Sequence, residues 1–277
     1  MVPSLRRAPV SAVVALTVGI VHAAVVVGTN LHYGYDVGPG AYPPFMILWR
    51  YGGLVVLGAV PVWFALRYRL VVPLVLVALL GGSAFYAEVT PPHATFSQLG
   101  GHTIVEDGLH LVKYAAAWYV WTVGALLVGC WEVVARRSGD VVPPSRPVPW
   151  LNEPMDQRRA LAVAVVLGAL HSVANVVFAW NLGLADDPLG VAWGLLGGLL
   201  LAGVPVFLLL RAGLLSPTAL VAFVFVTTVH AQQAPTPADP HALYLLAWFV
   251  PLGIALVFAA LEYGLGVLWR RYRPSLA

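Results

Sequence analysis

Charged side chains are scarce in this chain of 277 residues. Asp, Glu, Lys and Arg together make up only 10% of it, whereas 60% of the residues are apolar. An ordinary soluble domain carries about 25% charged residues. The deficit excludes a soluble globular domain, which could not cover its surface, and an intrinsically disordered chain, which needs more charge than this. An all-α integral membrane protein is the class that remains.

Cysteine is almost absent as well. The single Cys130 excludes an intrachain disulfide, a disulfide-stapled secreted scaffold and any CxxC metal or redox motif. The sequence also lacks a GxSxG elbow, an HExxH pair, a phosphate-binding glycine loop and a dinucleotide fingerprint. The common soluble enzyme classes therefore have no motif here, and the sequence does not specify a reaction.

Long apolar runs predict eight membrane-spanning helices. Eight spans of about 22 residues would use most of the chain and leave only short loops. They fall near 9–29, 45–67, 69–89, 109–135, 158–181, 189–211, 214–233 and 241–269.

The few charges are sorted between the two sets of loops. Of fourteen Arg residues, thirteen lie in or beside one alternating set, and Arg50 is the exception. The other set holds only carboxylates: Asp36, Glu106, Asp107, Asp186, Asp187 and Asp239. Because Arg is retained in the cytoplasm, both termini are predicted to be cytoplasmic in a cell membrane. The formal net charge of +3 thus indicates orientation in a lipid bilayer, and we expect no nucleic-acid partner.

The chain repeats itself. Thirteen residues from Pro61 share six identities with thirteen from Pro205, and His22 aligns with His171 and Trp118 with Trp248 in the same order. We predict two duplicated four-helix halves, 1–137 and 158–277, joined by a proline-rich cytoplasmic connector at 138–157. An even number of spans in each half implies a parallel orientation of the halves.

Three uncharged polar residues lie deep in predicted spans. His22 and His171 occupy matched positions on the first and fifth spans, and Asn175 follows His171 by one turn. Polar groups at this depth face the bundle interior, because lipid offers them no partner. We expect them to form interhelical hydrogen bonds or to line a pathway for a solute or proton at the repeat interface.

Three charged residues complete the set of intramembrane candidates. Lys113, the only lysine, lies one turn inside the fourth span and is expected to pair or to snorkel. Glu132 precedes Arg136 by four residues, which suits an ion pair along a helix. Glu262 is the matched carboxylate of the second half. Four residues after it stands Gly266 instead of an arginine, so its negative charge has no partner at that spacing.

Histidines also concentrate on the predicted outer side. If residues 102–118 are helical, His102, Glu106 and His110 share one face at four-residue intervals. Imidazoles with a carboxylate suit Zn, Cu or Fe. We therefore consider a metal site, and bis-histidine haem ligation by His22 and His171 as a further possibility. The outward candidates are His93, His102, Glu106, His110, His230 and His241.

Three functions fit these features. The first is a transporter or permease-like protein for a small solute or ion, which the intramembrane polar residues favour. The second is a metal- or haem-binding redox or assembly protein that uses the histidines. The third is a non-catalytic subunit of a membrane complex, with partners that the sequence does not identify.

Overall fold

The computed structural model describes residues 7–35, 43–91, 95–99, 102–138, 154–181, 187–232 and 240–272. Within them lie ten helices and one antiparallel strand pair. The helices are α1 (Arg7–His32), α2 (Pro44–Tyr68), α3 (Val72–Val89), α4 (His110–Ala116), α5 (Trp118–Ser138), α6 (Gln157–Asn181), α7 (Pro188–Ala212), α8 (Ser216–Gln232), α9 (Pro240–Leu246) and α10 (Phe249–Tyr272). The strands are β1 (Thr95–Leu99) and β2 (His102–Asp107).

The multi-pass helical architecture is confirmed. Seven described helices, α1, α2, α3, α5, α6, α7 and α10, contain segments long and apolar enough to cross a bilayer. The eighth predicted crossing falls on α8, which is apolar but has only 17 residues. A helix of that length rises about 25 Å, slightly less than the hydrocarbon core of about 30 Å. The count of eight spans therefore stays a prediction.

Two predicted spans are not continuous helices. The span predicted at 109–135 is interrupted at Ala117, between α4 and α5, and the span at 241–269 is interrupted at Ala247 and Trp248, between α9 and α10. A run of apolar residues does not reveal such a break, because side-chain hydropathy is the same on both sides of it. Each break lies beside a tryptophan that packs against a glycine of another helix.

The helix predicted across residues 102–118 is wrong at its start. Residues 102–107 form β2, which pairs with β1 so that Leu99 lies opposite His102. The consecutive residues Thr103, Ile104 and Val105 are β-branched, a pattern that favours strands. The proposed ladder of His102, Glu106 and His110 along one helix face therefore does not exist.

The chain forms two compact units, unit 1 (Met1–Ala125) and unit 2 (Leu126–Ala277), and α5 runs through the boundary. Most of the predicted connector at 138–157 lies outside the described residues. The core of unit 1 gathers α1 to α4 and the first part of α5, and that of unit 2 gathers α7 to α9 with the break residue Trp248 and the start of α10. Their buried apolar residues include Leu54, Leu57, Val77, Leu111 and Tyr114 in unit 1, and Leu201, Val221, Tyr244 and Ala255 in unit 2.

Glycines bring the first two helices of each unit into backbone contact. In unit 1 a β-carbon at Gly19 would overlap the Val55 carbonyl oxygen, and in unit 2 a β-carbon at Gly168 would lie 2.6 Å from the Leu199 carbonyl oxygen. Small residues permit this close packing between helices in a membrane. The hairpins α1–α2 and α6–α7 are held together in this way.

A glycine on α2 and another on α7 accommodate the tryptophans of the helix breaks. A β-carbon at Gly53 would overlap the Trp118 indole, and one at Gly197 would overlap the Trp248 indole. We expect Gly53→Ala and Gly197→Ala each to lower the free energy of unfolding by about 1–3 kcal/mol, because the ring must shift in a packed site.

The matched control is Gly52→Ala, since a β-carbon there meets nothing within 4 Å. This variant should be neutral or more stable, because Ala favours a helix over Gly by roughly 1 kcal/mol. The measurement is thermal unfolding in detergent. Equal effects at Gly52 and Gly53 would contradict the role given to Trp118.

Candidate intramembrane His–Tyr sites

The His22 imidazole in unit 1 is hydrogen-bonded at both nitrogens. Its Nδ1–H donates to the Leu54 carbonyl oxygen at 3.0 Å, and the Tyr114 hydroxyl donates to Nε2 at 3.1 Å. A carbonyl oxygen only accepts, so in the neutral ring the proton is assigned to Nδ1 and the lone pair to Nε2. The ring therefore links α1, α2 and α4.

Close packing of α1 on α2 brings the imidazole to the Leu54 carbonyl. A β-carbon at Gly58 would lie 2.9 Å from the Gly19 Cα and 3.0 Å from the His22 Cβ. Any larger residue at Gly58 would push α1 away. The position of His22 thus depends on two glycines. Gly19 lies one turn from His22 on α1, and Gly58 lies one turn from Leu54 on α2.

The His171 imidazole in unit 2 has the same two kinds of partner. Its Nδ1–H donates to the Gly198 carbonyl oxygen at 3.1 Å, and the Tyr244 hydroxyl lies 3.1 Å from Nε2, where it donates to the lone pair. These residues lie on α6, α7 and α9. The His171 side chain thus contacts two other helices of unit 2, and its depth in the bilayer stays a prediction.

Unit 2 adds two buried polar residues to this arrangement. The Asn175 Nδ2 donates to the His171 carbonyl oxygen at 2.7 Å, which fixes the orientation of the amide. The His241 Nε2 donates to the Asn175 carbonyl oxygen at 3.3 Å. Both side chains are 0% exposed. The sequence singled out Asn175 for this place, but assigned His241 to an outer metal site.

Two acceptor atoms in this cluster lack a partner among the described residues. They are the Asn175 Oδ1 and the His241 Nδ1, and both are buried. An unsatisfied buried acceptor costs about 1–3 kcal/mol. A bound species with hydrogen-bond donors, such as water, an amine or a hydroxyl, would satisfy them.

Haem ligation by His22 and His171 does not fit this hydrogen bonding. Each ring directs Nδ1–H at a backbone carbonyl, and its Nε2 lone pair accepts from a tyrosine. Iron would need that lone pair, so a tyrosine hydrogen bond would have to break in each unit. We derive no chemistry through haem.

The outward metal candidates that the structure describes, His110, His230 and His241, do not form a metal-binding group. No group of three His, Cys, Asp or Glu side chains lies close enough to hold a metal within the described part of the chain. His110 begins α4, His230 lies on α8 and His241 is buried near the start of α9. His93 and the side chains of His102 and Glu106 lie outside the described structure. The Zn or Cu site therefore stays a prediction.

Of the three charged candidates, Glu132 and Glu262 have hydrogen-bond partners, and Lys113 is exposed on the surface of the protein. Lys113 is exposed on α4. Glu132 accepts from the Arg136 Nε at 2.9 Å, the ion pair that the spacing suggested. The Glu262 carboxylate accepts from the Leu215 N–H and from the Ser216 N–H and hydroxyl at 2.6–3.0 Å. Glu262 thus satisfies free N–H groups at the start of α8, and it is far better compensated than its sequence neighbours suggest.

The sequence-based reasoning missed the tyrosines as partners of the histidines. Tyr114 and Tyr244 are separated by the same 130 residues as Trp118 and Trp248, so the repeat register could have paired them. It also missed Glu88, which accepts from the Leu111 N–H at 2.9 Å and from the Tyr35 hydroxyl. Glu88 thereby ties the segment after α1 to α3 and α4.

Removal of either tyrosine hydroxyl should weaken its unit. We expect Tyr114→Phe and Tyr244→Phe each to lower the free energy of unfolding by about 1–3 kcal/mol, because the imidazole Nε2 loses its tyrosine donor. The loss should be the smaller one in unit 2, where the Asn175 Nδ2 lies 3.1 Å from the His171 Nε2. Thermal unfolding in detergent measures this, with Tyr86→Phe as the control, since Tyr86 is 68% exposed. A loss at Tyr86 as large as at the two buried positions would contradict the assignment.

Tyr35 should make stability fall at alkaline pH. Burial, together with the hydrogen bond to Glu88, raises the pKa of Tyr35 from 10.0 to about 12. Between these values the unfolded chain releases a proton that the folded chain keeps, so stability is complete below pH 10 and declines as the pH rises toward 12. Melting temperatures from pH 9 to 11.5 should fall more steeply for the parent than for Tyr35→Phe, and identical slopes would rule the effect out.

Comparisons of the chain with protein families, with curated proteins and with solved structures find no match. Its function must therefore be argued from its own residues.

Proposed function

We propose that this chain is a transporter or permease-like membrane protein for a small solute or ion, built from two copies of a four-helix unit. The solute site that we infer lies in unit 2, at His171, Asn175, His241 and Tyr244. Its single strongest support is a pair of buried acceptors beside an interrupted helix, neither of which has a hydrogen-bond partner in the described part of the chain.

Matched contacts inside the two units support the duplication. The contact between His22 and Leu54 corresponds to that between His171 and Gly198, at sequence offsets of 149 and 144. The contact of the Leu111 N–H with Glu88 corresponds in the same way to that of the His241 N–H with Gln232. The glycine–tryptophan contacts and the tyrosine–imidazole contacts follow the same offsets. Random similarity between apolar segments would not reproduce their contacts.

The interrupted helix supports a transport role. In many transporters the substrate site is formed where a spanning helix is discontinuous, because unwound backbone and nearby polar groups can contact the solute. His241 and Tyr244 lie on α9, directly before the break at Ala247 and Trp248. The Asn175 Oδ1 and the His241 Nδ1 accept hydrogen bonds, so the solute that fits them carries donors, such as a primary amine, an ammonium ion or a hydroxyl compound.

Unit 1 indicates that the fold does not require these polar groups. The repeat register places Val26 where unit 2 has Asn175, and Leu111 where it has His241. Both apolar residues are buried. Because two unsatisfied acceptors destabilise unit 2 without any structural need, a functional role is the favoured explanation for them.

The test uses the full chain in detergent and in proteoliposomes. We would screen ammonium, primary amines, amino acids and polyols for those that raise the melting temperature, and then measure uptake of a stabilising solute. Asn175→Val and His241→Leu introduce the residues of unit 1. We expect both variants to be at least as stable as the parent, and to lose most of the stabilisation and uptake.

The matched control is Leu111→Val, which changes the corresponding position of unit 1 without adding or removing a polar group. Uptake that survives both unit 2 substitutions would overturn the proposal. A chain that no solute stabilises would instead favour the third hypothesis, a non-catalytic subunit.

A further inference from the structure

The solute site inferred in unit 2 has acceptors to offer a ligand, whereas its donors are already engaged. The His171 Nδ1–H donates to the Gly198 carbonyl, and the Tyr244 hydroxyl donates to the His171 Nε2. The Asn175 Nδ2 donates to the His171 carbonyl and lies 3.1 Å from the His171 Nε2. The His241 Nε2–H donates to the Asn175 carbonyl. Among the described residues, the Asn175 Oδ1 and the His241 Nδ1 are the atoms of this site without a partner.

This pattern discriminates among small solutes. A hydroxyl group or a water molecule brings lone pairs of its own, and these four side chains have no free donor for them. The carboxylate of an amino acid meets the same shortage and also buries a negative charge. An ammonium group has N–H donors and no lone pair. Both free acceptors can therefore bind it, and no lone pair of the ligand is left without a donor.

Aromatic rings pack against the two imidazoles of the site. The Phe178 ring centroid lies 4.5 Å from that of His241, and the Phe225 ring centroid lies 5.1 Å from that of His171. The negative face of an aromatic ring attracts a compact cation and accepts weak hydrogen bonds from N–H groups. Such rings suit the N–H groups of an ammonium ion that do not reach the Asn175 Oδ1 or the His241 Nδ1.

We propose that the solute of unit 2 is a compact cation with N–H donors, ammonium or methylammonium. This assignment rests on the proposed function for the location of the site, and it narrows the donor-bearing solutes to one class. The side chains of Asn175 and His241 are 0% exposed, so the ligand that reaches their free acceptors is small. Potassium has a similar size, but it is coordinated by several oxygen atoms, whereas this site offers one amide oxygen and one imidazole nitrogen.

The test measures thermal unfolding of the full chain in detergent, with chloride salts compared at equal ionic strength. Ammonium and methylammonium should raise the melting temperature in a saturable way. Potassium has the charge and nearly the size of ammonium but no N–H group, tetramethylammonium has the charge but no donor, and glycerol has donors that come with lone pairs. We expect none of these three to reproduce the shift. In proteoliposomes, ammonium but not potassium should compete with methylammonium uptake.

The variants Asn175→Val and His241→Leu each remove one free acceptor. Loss of a hydrogen bond to a charged group should raise the half-maximal ammonium concentration roughly tenfold or more. Phe178→Leu keeps both acceptors and removes an aromatic ring, so it should weaken ammonium binding by a smaller factor. Leu111→Val, the control in unit 1, should bind as the parent does. The comparison of salts in the parent needs no variant, so it decides the outcome even if a variant fails to fold.

Stabilisation by potassium or tetramethylammonium equal to that by ammonium would overturn the assignment, as would an ammonium effect that survives both Asn175→Val and His241→Leu. Stabilisation by glycerol or another uncharged solute that is lost in these two variants would overturn the assignment of ammonium and leave the proposed function intact. A chain that no solute stabilises would overturn both. The two failures therefore give different results.

Discussion

The hydrogen bonds that hold the half-buried imidazoles of His22 and His171 at both nitrogens are the interaction on which the helix arrangement depends. Lipid provides no partner for a polar group, so a histidine deep in a span must find a donor and an acceptor within the protein. His22 finds them on two other helices, the Leu54 carbonyl on α2 and the Tyr114 hydroxyl on α4. His171 does the same in unit 2. One side chain thus sets the distances among three helices.

Those distances explain the glycines and the helix breaks. An imidazole reaches a backbone carbonyl of the neighbouring helix only if the two backbones almost touch, which Gly19 and Gly58 permit in unit 1. Tyr114 must then approach from α4, and the break at Ala117 lets the next residue, Trp118, turn its indole onto Gly53. The break between α4 and α5 thus allows Tyr114 to contact His22 while Trp118 packs against Gly53.

The same frame carries different polar groups in the two units. Unit 1 has Arg50 and Asn30 at a pocket between α1, α2 and α4, whereas unit 2 has small apolar residues at the matching pocket. Unit 2 has Asn175 and His241 beside its imidazole, whereas unit 1 has apolar residues. Either unit packs without the polar groups of the other, so the shared packing of the helices does not by itself require those groups. We therefore look for function where the units differ rather than where they agree.

The sequence alone determines the class of this protein and predicts its orientation and most of its helices. Scarce charge indicates a membrane protein, and the arginine pattern predicts its orientation. The long apolar runs match five of the seven span-length helices of the described residues to within a few residues. His22 and His171 are polar residues at matched places within apolar runs, so the sequence already indicates two interior polar sites. Both the apolar runs and the match between them can be read directly from the order of the residues. Even the ion pair of Glu132 with Arg136 follows from a spacing of four residues.

Only the tertiary structure decides which groups meet. Tyr114 lies 92 residues from His22 in the sequence, and Glu262 lies 46 residues from Ser216, whose N–H donates a hydrogen bond to it. The strand at residues 102–107 and the breaks at Ala117 and Ala247 are likewise absent from the hydropathy pattern. A spacing along the chain specifies a partner only within one helix. Between helices, the partner depends on how closely the backbones pack, and that is set by contacts distributed over the whole unit.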